Sequence, residues 1–347
     1  MKIIKINTTK KYDVFVGENL LSQAGVLISN AVPVSKIAII TDDNVDKLYS
    51  KTLESALIAQ KFEVIKYVVK NGEHSKNAEN YLLLLDFLAN NKLHRNDSVV
   101  ALGGGVIGDL AGFVAGTYMR GIRFIQIPTT LLAGIDSSVG GKMAINLDAG
   151  KNYAGVTYQP SIVIFDTNTI NTLPKDVYYD GLGEGVKYAI IKGGKMFEHF
   201  NNGIDKNNLE EVICGCIKIK KTLVEKDEEE QNVRKFLNLG HTFAHAFERM
   251  SDYSITHGKC VAMGINEIAR ISNAQKYLSD EAYTNIKKML EKNCLSEAIN
   301  YDKEKLIECM LMDKKVEGNN VIFVIIEKIG RCRTVSINKE KLMEFIG

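Results

Sequence analysis

Residues 98–117, SVVALGGGVIGDLAGFVAGT, decide the fold of the first half of the chain. The apolar run that opens this segment predicts a buried strand, the glycines predict a turn, and the apolar spacing from 106 to 117 predicts a helix. Gly103, Gly105 and Gly108 satisfy the pattern G-x-G-x-x-G, in which glycines let the backbone approach a pyrophosphate at a helix N-terminus. The segment therefore favours a nucleotide-binding unit, although ordinary turns are also often rich in glycine.

The same alternation continues on both sides of this segment. Strands are predicted at 37–41, 62–69, 123–128 and 161–165, and helices at 43–60 and 77–91. Strands and helices that alternate at this pace indicate βαβ units and a parallel sheet.

The second half changes character after the last of these strands. From Leu173 onward the pattern is mostly helical, and the exception is 321–337, which predicts a hairpin that turns at Gly330. We therefore predict two domains. The first is an α/β Rossmann-like nucleotide-binding domain at 1–172, and the second is a mainly α-helical domain at 173–347.

The composition is that of an ordinary globular protein. Among 347 residues, 44 are Lys or Arg and 42 are Asp or Glu, which leaves a formal charge of +2. This balance argues against a nucleic-acid or membrane-surface binder, because such proteins carry a basic excess. None of the six cysteines forms a C-x-x-C pair, and no stretch approaches about 18 apolar residues. We therefore expect a cytoplasmic protein with reduced thiols and neither a nucleic-acid nor a membrane partner, and we expect the acidic run at 227–230 to be solvated.

Three of the six histidines lie close together in the second half. His241 and His245 are spaced i, i+4 on one predicted helix face, and His257 follows. Because imidazole is a common zinc ligand, this concentration favours a metal site. Spacing alone pairs His241 with His245 as ligands, as in H-E-x-x-H helices, but Thr242 stands where that motif has Glu. A carboxylate from elsewhere in the chain must then complete the site, and Glu184 is one candidate.

Two further features favour nucleotide or phosphate binding. Asp42 follows the strand predicted at 37–41, where its carboxylate can hydrogen-bond a ribose. The stretches 136–142 (DSSVGGK) and 149–152 (AGKN) are polar, rich in glycine and contain one lysine each. They are compatible with exposed flexible loops or with binding of a phosphate or carboxylate, but they lack the spacing of a P-loop.

Taken together, these stretches resemble the 3-dehydroquinate synthase family of sugar-phosphate cyclases. The segments that carry the resemblance lie between Asp42 and Gly330, in the family's order and spacing: GGGVIGDLAGFVA, IPTTLLA, DSSVGGK, GKN, TLP, LNLGHT and HGK. The resemblance implies a dehydroquinate synthase-like fold, whose first domain binds NAD and whose second domain binds a metal and the substrate.

The resemblance also implies the ligands of both cofactors. A divalent metal, usually zinc with cobalt as an alternative, would be held by Glu184, His241 and His257. His245 would then contact the substrate and would not be a metal ligand, unlike in the pairing suggested by spacing alone. The NAD-binding residues that it implies are Asp42, Asn44, Glu73, Lys76, Gly105, Val106, Ile107, Gly108, Asp109, Thr129, Thr130, Lys142, Lys151 and Thr172.

The substrate implied by the resemblance is a phosphorylated sugar acid, 3-deoxy-D-arabino-heptulosonate 7-phosphate. Arg120 would reach the site of a neighbouring subunit, which implies a homodimer. The implied reaction yields 3-dehydroquinate and phosphate through transient oxidation by NAD, phosphate elimination, reduction, ring opening and an intramolecular aldol. The family's substrate positions are matched by Asp136, Lys142, Asn152, Lys187, Lys221, Arg234, Asn238 and His245, and by one lysine of the pair Lys314 and Lys315.

Three alternatives share parts of this pattern. A metal-dependent polyol or glycerol-phosphate dehydrogenase would share the fold but release NADH. Another sugar-phosphate cyclase, such as a 2-deoxy-scyllo-inosose or valiolone synthase, would act on a different sugar. Arg234, Asn238 and the lysines at 314 and 315 speak against it. A nucleotide-binding regulatory protein without catalysis is the third alternative, and the complete set of metal ligands speaks against it.

The sequence departs from the family pattern at positions that hold none of the implied ligands. The family usually has Gln at 134, an aromatic residue at 157, Val at 185 and an acidic residue at 259. Here these positions are Gly134, Thr157, Gly185 and Lys259.

Overall fold

The structure is a computed structural model that describes residues 1–297, 300–312 and 316–347. The described chain separates into two compact units, Met1–Leu173 and Pro174–Gly347. Among the described residues, no helix combines the length and the apolar character needed to cross a membrane.

The first unit alternates strands and helices along the chain, as the sequence predicts. Its strands are β1 (Lys2–Asn7), β2 (Lys11–Gly17), β3 (Lys36–Asp42), β4 (Glu63–Val69), β5 (Ser98–Gly103), β6 (Arg123–Pro128), β7 (Lys142–Leu147), β8 (Gly150–Thr157) and β9 (Ile162–Asp166). Its helices are α1 (Leu20–Ala31), α2 (Asp43–Val45), α3 (Lys51–Ala59), α4 (Ala78–Asn90) and α5 (Gly105–Thr117).

Within residues 1–173, all of which are described, seven strands form one sheet in the order β1-β2-β9-β6-β5-β3-β4. The six strands β2, β9, β6, β5, β3 and β4 pair in parallel, each with the next one in this order. Strand β1 lies at the edge and is antiparallel to β2. The chain runs from β3 outward to β4 and then returns across β3 to β5. The carboxyl ends of β3 and β5 therefore flank a point where the strand order reverses, which is where open α/β sheets bind nucleotides.

Both faces of the central strands are buried, which explains their unbroken apolar runs. Ile37 and Ile39 of β3 pack in the cluster that contains residues of α1 and α3, whereas Ala38 and Ile40 pack in the cluster that contains residues of α4 and α5. Successive side chains of a strand point to opposite faces, so a strand covered by helices on both sides needs apolar residues at every position.

The second unit is mainly helical and carries a small antiparallel sheet. Its helices are α6 (Lys175–Lys192), α7 (Lys195–Asn202), α8 (Leu209–Lys226), α9 (His241–Met250), α10 (His257–Ala274), α11 (Asp280–Lys292), α12 (Lys303–Leu311) and α13 (Leu342–Ile346). Its strands are β10 (Val316–Glu317), β11 (Asn320–Lys328) and β12 (Arg331–Asn338), in that order in the sheet. The predicted fold class is confirmed, and so is the predicted hairpin, which is formed by β11 and β12.

Two hairpins of the first unit differ from the sequence-based expectation. The N-terminal pair β1–β2 was not among the predicted strands. The segments DSSVGGK and AGKN were compatible with flexible loops, but β7 begins at the last residue of the first segment, β8 includes most of the second, and the two strands pair as an antiparallel hairpin. Met143 and Ile145 of β7 are buried and pack on α5, which explains why this polar segment is ordered.

Candidate active site

Glu184, His241 and His257 bring three candidate metal ligands together within the second unit. The Nε2 atoms of His241 and His257 lie 3.3 and 3.1 Å from the same oxygen, Oε1 of Glu184. The ligand atoms of the three residues all lie within 4.8 Å of one another. Two imidazole nitrogens and one carboxylate oxygen form the donor set of many catalytic zinc sites, in which a fourth position stays open for substrate or water. The residues therefore fit a divalent metal of this kind.

Each of these residues comes from a different helix. Glu184 lies in the middle of α6, and His241 and His257 are the first residues of α9 and α10. The backbones of α6 and α10 nearly touch, because a Cβ atom added to Gly258 would lie only 1.8 Å from the backbone oxygen of Asp180. The Asp180 carboxylate also accepts a hydrogen bond of 2.6 Å from the N–H of Gly258. These contacts fix the start of α10 beside the turn of α6 that carries Glu184.

Lys187 sets the charge state of this centre. Its Nζ lies 2.5 Å from Oε2 of Glu184, and both side chains are buried. Burial opposes the ionisation of Glu184, but Lys187 and His241 outweigh it and lower the pKa of the carboxyl well below its usual range. Burial also opposes the charged form of His257, yet hydrogen bonds to Glu184 and Glu248 raise its pKa to about 10. The centre therefore holds an anionic carboxylate among cationic groups, and a divalent metal can take the place of protons there.

His245 lies one helical turn after His241, on the same face of α9. Its ring centroid is 5.7 Å from that of His241 and 6.1 Å from that of His257. It forms a second group of candidate ligands with Glu248 and His257, whose donor atoms also lie within 4.8 Å of one another. The two rings whose nitrogens meet Glu184 are nevertheless those of His241 and His257. The first group holds the three ligands that the resemblance implies, and His245 belongs to the second group.

The segment after α8 fixes the position of Arg234. The carboxylate of Asp227 accepts hydrogen bonds from the backbone N–H groups of Gln231, Asn232 and Arg234, at 2.9, 2.6 and 2.9 Å. Burial opposes ionisation of Asp227, but these bonds lower its pKa. Arg234 is buried, and its guanidinium donates to the carbonyl of Glu228. The expectation of a solvated acidic run is wrong for Asp227, because its carboxylate organises the backbone that carries Arg234.

Two adjacent lysines of α8 have opposite environments. Lys221 is partly exposed, and its Nζ lies 3.8 Å from Glu225 one turn along the same helix. Lys220 is only 6% exposed. The sequence suggested Lys221 as a substrate residue, but the structure gives that residue a surface ion pair and buries its neighbour.

Two further acidic residues were missed by the sequence analysis. Glu230 accepts a hydrogen bond of 2.5 Å from the side-chain amide of Asn238. Glu248 is buried, and its Oε2 lies 3.4 Å from Nδ1 of His257. The signal that points to Glu248 was present in the sequence, since it follows His241 and His245 at positions i+7 and i+3 and so shares their helix face.

Several of the residues predicted to bind a nucleotide lie at one edge of the first unit, the carboxyl ends of its parallel strands. Asp42 ends β3, Gly103 ends β5, and Thr129 directly follows β6. The carboxylate of Asp42 accepts from the N–H groups of Asn44 and Val45, both at 3.0 Å, and so caps α2. Thr129 is buried, and among the described residues its hydroxyl has no hydrogen-bond partner. A buried hydroxyl without a partner is costly, so this observation fits a polar ligand at the same edge.

Lys76 is the centre of a polar network beside the glycine turn. Its Nζ is buried and lies 2.5 Å both from the carboxylate of Asp109 on α5 and from the amide oxygen of Asn152 on β8. Asn146 extends the network, since its side chain donates to Glu73 at 2.7 Å and accepts from the N–H of Asn152 at 2.9 Å. The structure therefore joins four predicted residues from three separate stretches of the chain, and it adds Asn146 to them.

The other predicted residues of the first unit occupy turns and strand ends. The first turn of α5 consists of Gly105, Val106, Ile107 and Gly108. Thr130 accepts a hydrogen bond from the N–H of Ala133, and Asp136 lies in the π-helical turn Ala133–Ser137. Lys142 is the first residue of β7, Lys151 lies in β8, and Thr172 is the last residue of the 3₁₀ segment Thr167–Thr172. Arg120 is exposed at the end of the 3₁₀ turn Tyr118–Arg120. Lys314 and Lys315 lie outside the described residues.

Two departures from the family pattern have a structural explanation. A Cβ atom added to Gly134 would lie 2.1 Å from the ring of Phe165, so the larger residue usual there cannot coexist with this ring position. Lys259 forms ion pairs with Glu297 at 3.3 Å and Asp176 at 3.5 Å, so its positive charge is compensated locally.

The two halves of the chain match two parts of one protein family. Residues 66–180 match the family described as 3-dehydroquinate synthase N-terminal, and residues 181–316 match 3-dehydroquinate synthase C-terminal. The chain belongs to the 3-dehydroquinate synthase family. The resemblance stated from the sequence motifs is thereby confirmed.

Individual members of the 3-dehydroquinate synthase family align along most of this chain. A 3-dehydroquinate synthase of Enterococcus faecalis is 39% identical over 352 residues, covering 100% of this chain and 98% of that protein. One of Legionella pneumophila is 42% identical over 315 residues, covering 88% and 85%. Among solved structures, 2-deoxy-scyllo-inosose synthase complexed with carbaglucose-6-phosphate, NAD⁺ and Co²⁺ superimposes with a TM-score of 0.90 at 25% identity, covering 99% of both chains.

Proposed function

We propose that this protein is a 3-dehydroquinate synthase, a lyase of the shikimate pathway. It converts 3-deoxy-D-arabino-heptulosonate 7-phosphate into 3-dehydroquinate and phosphate, with NAD and a divalent metal as cofactors. The observation that carries the proposal is the convergence of Glu184, His241 and His257 in a chain that belongs to this family along both units. The identities of 38–42% to proteins named 3-dehydroquinate synthase favour it over another sugar-phosphate cyclase.

Glu184, His241 and His257 would hold the metal, and the carboxyl edge of the first unit would hold NAD. When bound, the metal supplies Lewis-acid polarisation of a substrate hydroxyl, and NAD supplies a reversible hydride acceptor. Support for the metal comes from the donor set itself, and support for NAD comes from the glycine turn at the N-terminus of α5 and the unpartnered Thr129 hydroxyl. We propose zinc as the metal, because a set of two imidazoles and one carboxylate suits it.

The protein's own residues would position the substrate and compensate its charge. Arg234 is suited to the substrate carboxylate, since a guanidinium presents two parallel N–H donors to it. Lys187 keeps Glu184 anionic, and His245 is placed to accept or return a proton at a ring nitrogen. Asp136, Lys142, Asn152 and Asn238, with one lysine of the undescribed pair at 314 and 315, are proposed from the resemblance to complete the substrate contacts.

We further propose that Lys220, and not Lys221, is the α8 lysine that serves the substrate. A charged lysine is held inside a protein only where anionic groups compensate it, and Lys220 is the buried one of the two. Replacing Lys220 by Met should lower kcat/KM by about 10- to 150-fold, equivalent to about 1.5–3 kcal/mol for a hydrogen bond to a charged group. Lys221→Met removes only a partly exposed ion pair and should stay within about threefold.

Steady-state kinetics with both variants decides between the two lysines. Circular dichroism and thermal unfolding should accompany the assay, so that loss of folding is not counted as loss of binding. A large effect of Lys221→Met with a small effect of Lys220→Met would contradict the assignment.

We also propose a homodimer in the cytoplasm. Support for the dimer comes from the resemblance and from Arg120, which is exposed and held in a left-handed backbone conformation with φ of 63°. Analytical ultracentrifugation of the purified chain tests the assembly, and a monomer at micromolar concentration would refute it.

The activity itself is tested by a coupled measurement. Purified protein is given the heptulosonate phosphate, a catalytic amount of NAD and zinc, and phosphate release and 3-dehydroquinate are followed together. We expect both products in equal amounts without net reduction of NAD, because the hydride removed in the first step is returned in a later one. NADH that accumulates in proportion to product would instead indicate a dehydrogenase of the same fold.

A further inference from the structure

Glu248 is a buried carboxylate to which the family assignment and the reaction give no role. It lies on α9 and is only 4% exposed. Its Oε2 lies 3.4 Å from Nδ1 of His257, the residue whose other ring nitrogen faces Glu184. The His257 ring therefore stands between two carboxylates, one at each nitrogen.

A neutral imidazole donates a proton from one nitrogen and offers a lone pair at the other. A metal ligand that uses Nε2 must therefore carry its proton on Nδ1, and an oxygen beside Nδ1 fixes both this tautomer and the rotation of the ring. The Oε2 atom of Glu248 lies in that position for His257.

His241 supplies an independent comparison within the same centre. Its Nδ1 lies 3.2 Å from the carbonyl oxygen of Leu239, and its Nε2 faces the same Oε1 atom of Glu184. Both histidines thus have an oxygen at Nδ1 and Glu184 at Nε2. For His241 that oxygen belongs to the backbone, whereas for His257 it belongs to a side chain that can be replaced.

We infer that Glu248 is a positioning residue, which accepts the Nδ1–H of His257 and thereby directs Nε2 toward the metal. The inference rests on the metal centre of the proposed function. Glu248 also adds a second negative charge close to a divalent cation, beyond that of Glu184. Loss of such outer contacts typically weakens metal binding by about 10- to 100-fold.

The test measures zinc affinity directly, by competition with a chromophoric chelator. Glu248→Met preserves side-chain length but removes the acceptor, and it should weaken zinc binding by about 10- to 100-fold. Glu248→Gln keeps an acceptor oxygen and should lose less than about tenfold. Glu198→Met, at an exposed position of α7, is the matched control and should bind zinc as the wild-type chain does.

A second readout separates positioning from general packing. In zinc-loaded protein labelled with ¹⁵N-histidine, the Nδ1–H proton of His257 should be protected from exchange with water, and Glu248→Met should abolish this protection. Thermal unfolding of the zinc-free proteins shows whether each variant folds. If Glu248→Met does not fold, Glu248→Asp withdraws the carboxylate by one methylene and should also weaken zinc binding and reduce the protection.

Three results would overturn the inference in distinguishable ways. Wild-type zinc affinity in a folded Glu248→Met variant would show that Glu248 does not position His257. Equal losses in the Gln and Met variants, with one zinc–oxygen contact missing in X-ray absorption spectra, would make Glu248 a direct ligand. Failure of the wild-type chain to bind one zinc per subunit would remove the proposed metal centre itself, and this inference with it.

Discussion

His257→Ala should abolish both zinc binding and turnover. The substitution removes one of two imidazole nitrogens that face Oε1 of Glu184, and it leaves the buried Glu184 with one histidine and Lys187. Loss of an outer contact typically weakens metal binding by about 10- to 100-fold, and loss of a direct ligand should weaken zinc binding by more than that. Zinc content after dialysis, measured by atomic absorption, and the rate of phosphate release are the two measurements.

His245→Ala is the control for this experiment, because it removes a neighbouring imidazole from the same helix face. We expect zinc to stay bound, since Glu184, His241 and His257, the three proposed ligands, all remain. The rate should fall by about 10²- to 10⁴-fold if His245 transfers a proton. Full zinc occupancy in His257→Ala, or its loss in His245→Ala, would show that His241 and His245 form the ligand pair, as their i, i+4 spacing suggests.

Gly258→Ala should strongly destabilise the second unit. The added Cβ would lie 1.8 Å from the backbone oxygen of Asp180, and backbone atoms of two packed helices cannot move aside as a side chain can. Overpacking of this kind typically costs about 1–3 kcal/mol, and a backbone clash belongs at the upper end. The apparent Tm should therefore fall by about 6–12 °C for a unit of this size. Zinc affinity should fall as well, because α10 carries His257 at its first turn.

Gly215→Ala is the matched control on α8. There the added Cβ approaches only the thioether of Met196, which can rotate away, and alanine favours the helix over glycine by about 1 kcal/mol. We expect Tm and zinc affinity close to those of the wild-type chain. Differential scanning calorimetry compares the two variants, and equal Tm values would mean that α6 and α10 separate at little cost.

The alternation of strands and helices in the first unit could be predicted because it depends on local patterns. A strand buried on both faces needs an unbroken apolar run, so IAII at 37–40 and VVAL at 99–102 are recognisable without tertiary information. The attachment of the pair β1–β2 to the main sheet could not be predicted in this way. It depends on pairing of β2 with β9 from the far end of the unit, and a contact between residues 13 and 162 leaves no local trace.

The candidate metal centre, too, could be predicted from the sequence only in part. The spacing of His241 and His245 on one helix face is visible in the sequence, and it suggests a ligand pair. In the structure, the ring nitrogens that meet Glu184 belong to His241 and His257, because the close approach of α6 and α10 brings the start of α10 against Glu184. Which lysine of α8 is buried was equally undecided in the sequence, since Lys220 and Lys221 differ only in the direction that the helix gives them.

The sequence by itself determined the α/β order of the first unit, the helical character of the second, the glycine turn after β5 and the family. These properties depend on periodicity, turn residues and ordered motifs, all of which act over short stretches of chain. Only the tertiary structure decided which donor atoms meet at Glu184. It alone also shows that the carboxylate of Asp227 accepts a hydrogen bond from the backbone of Arg234, and that Oε2 of Glu248 lies beside Nδ1 of His257. These relations join residues on different helices or turns, and they exist only after the packing of those elements has brought the side chains within hydrogen-bond distance.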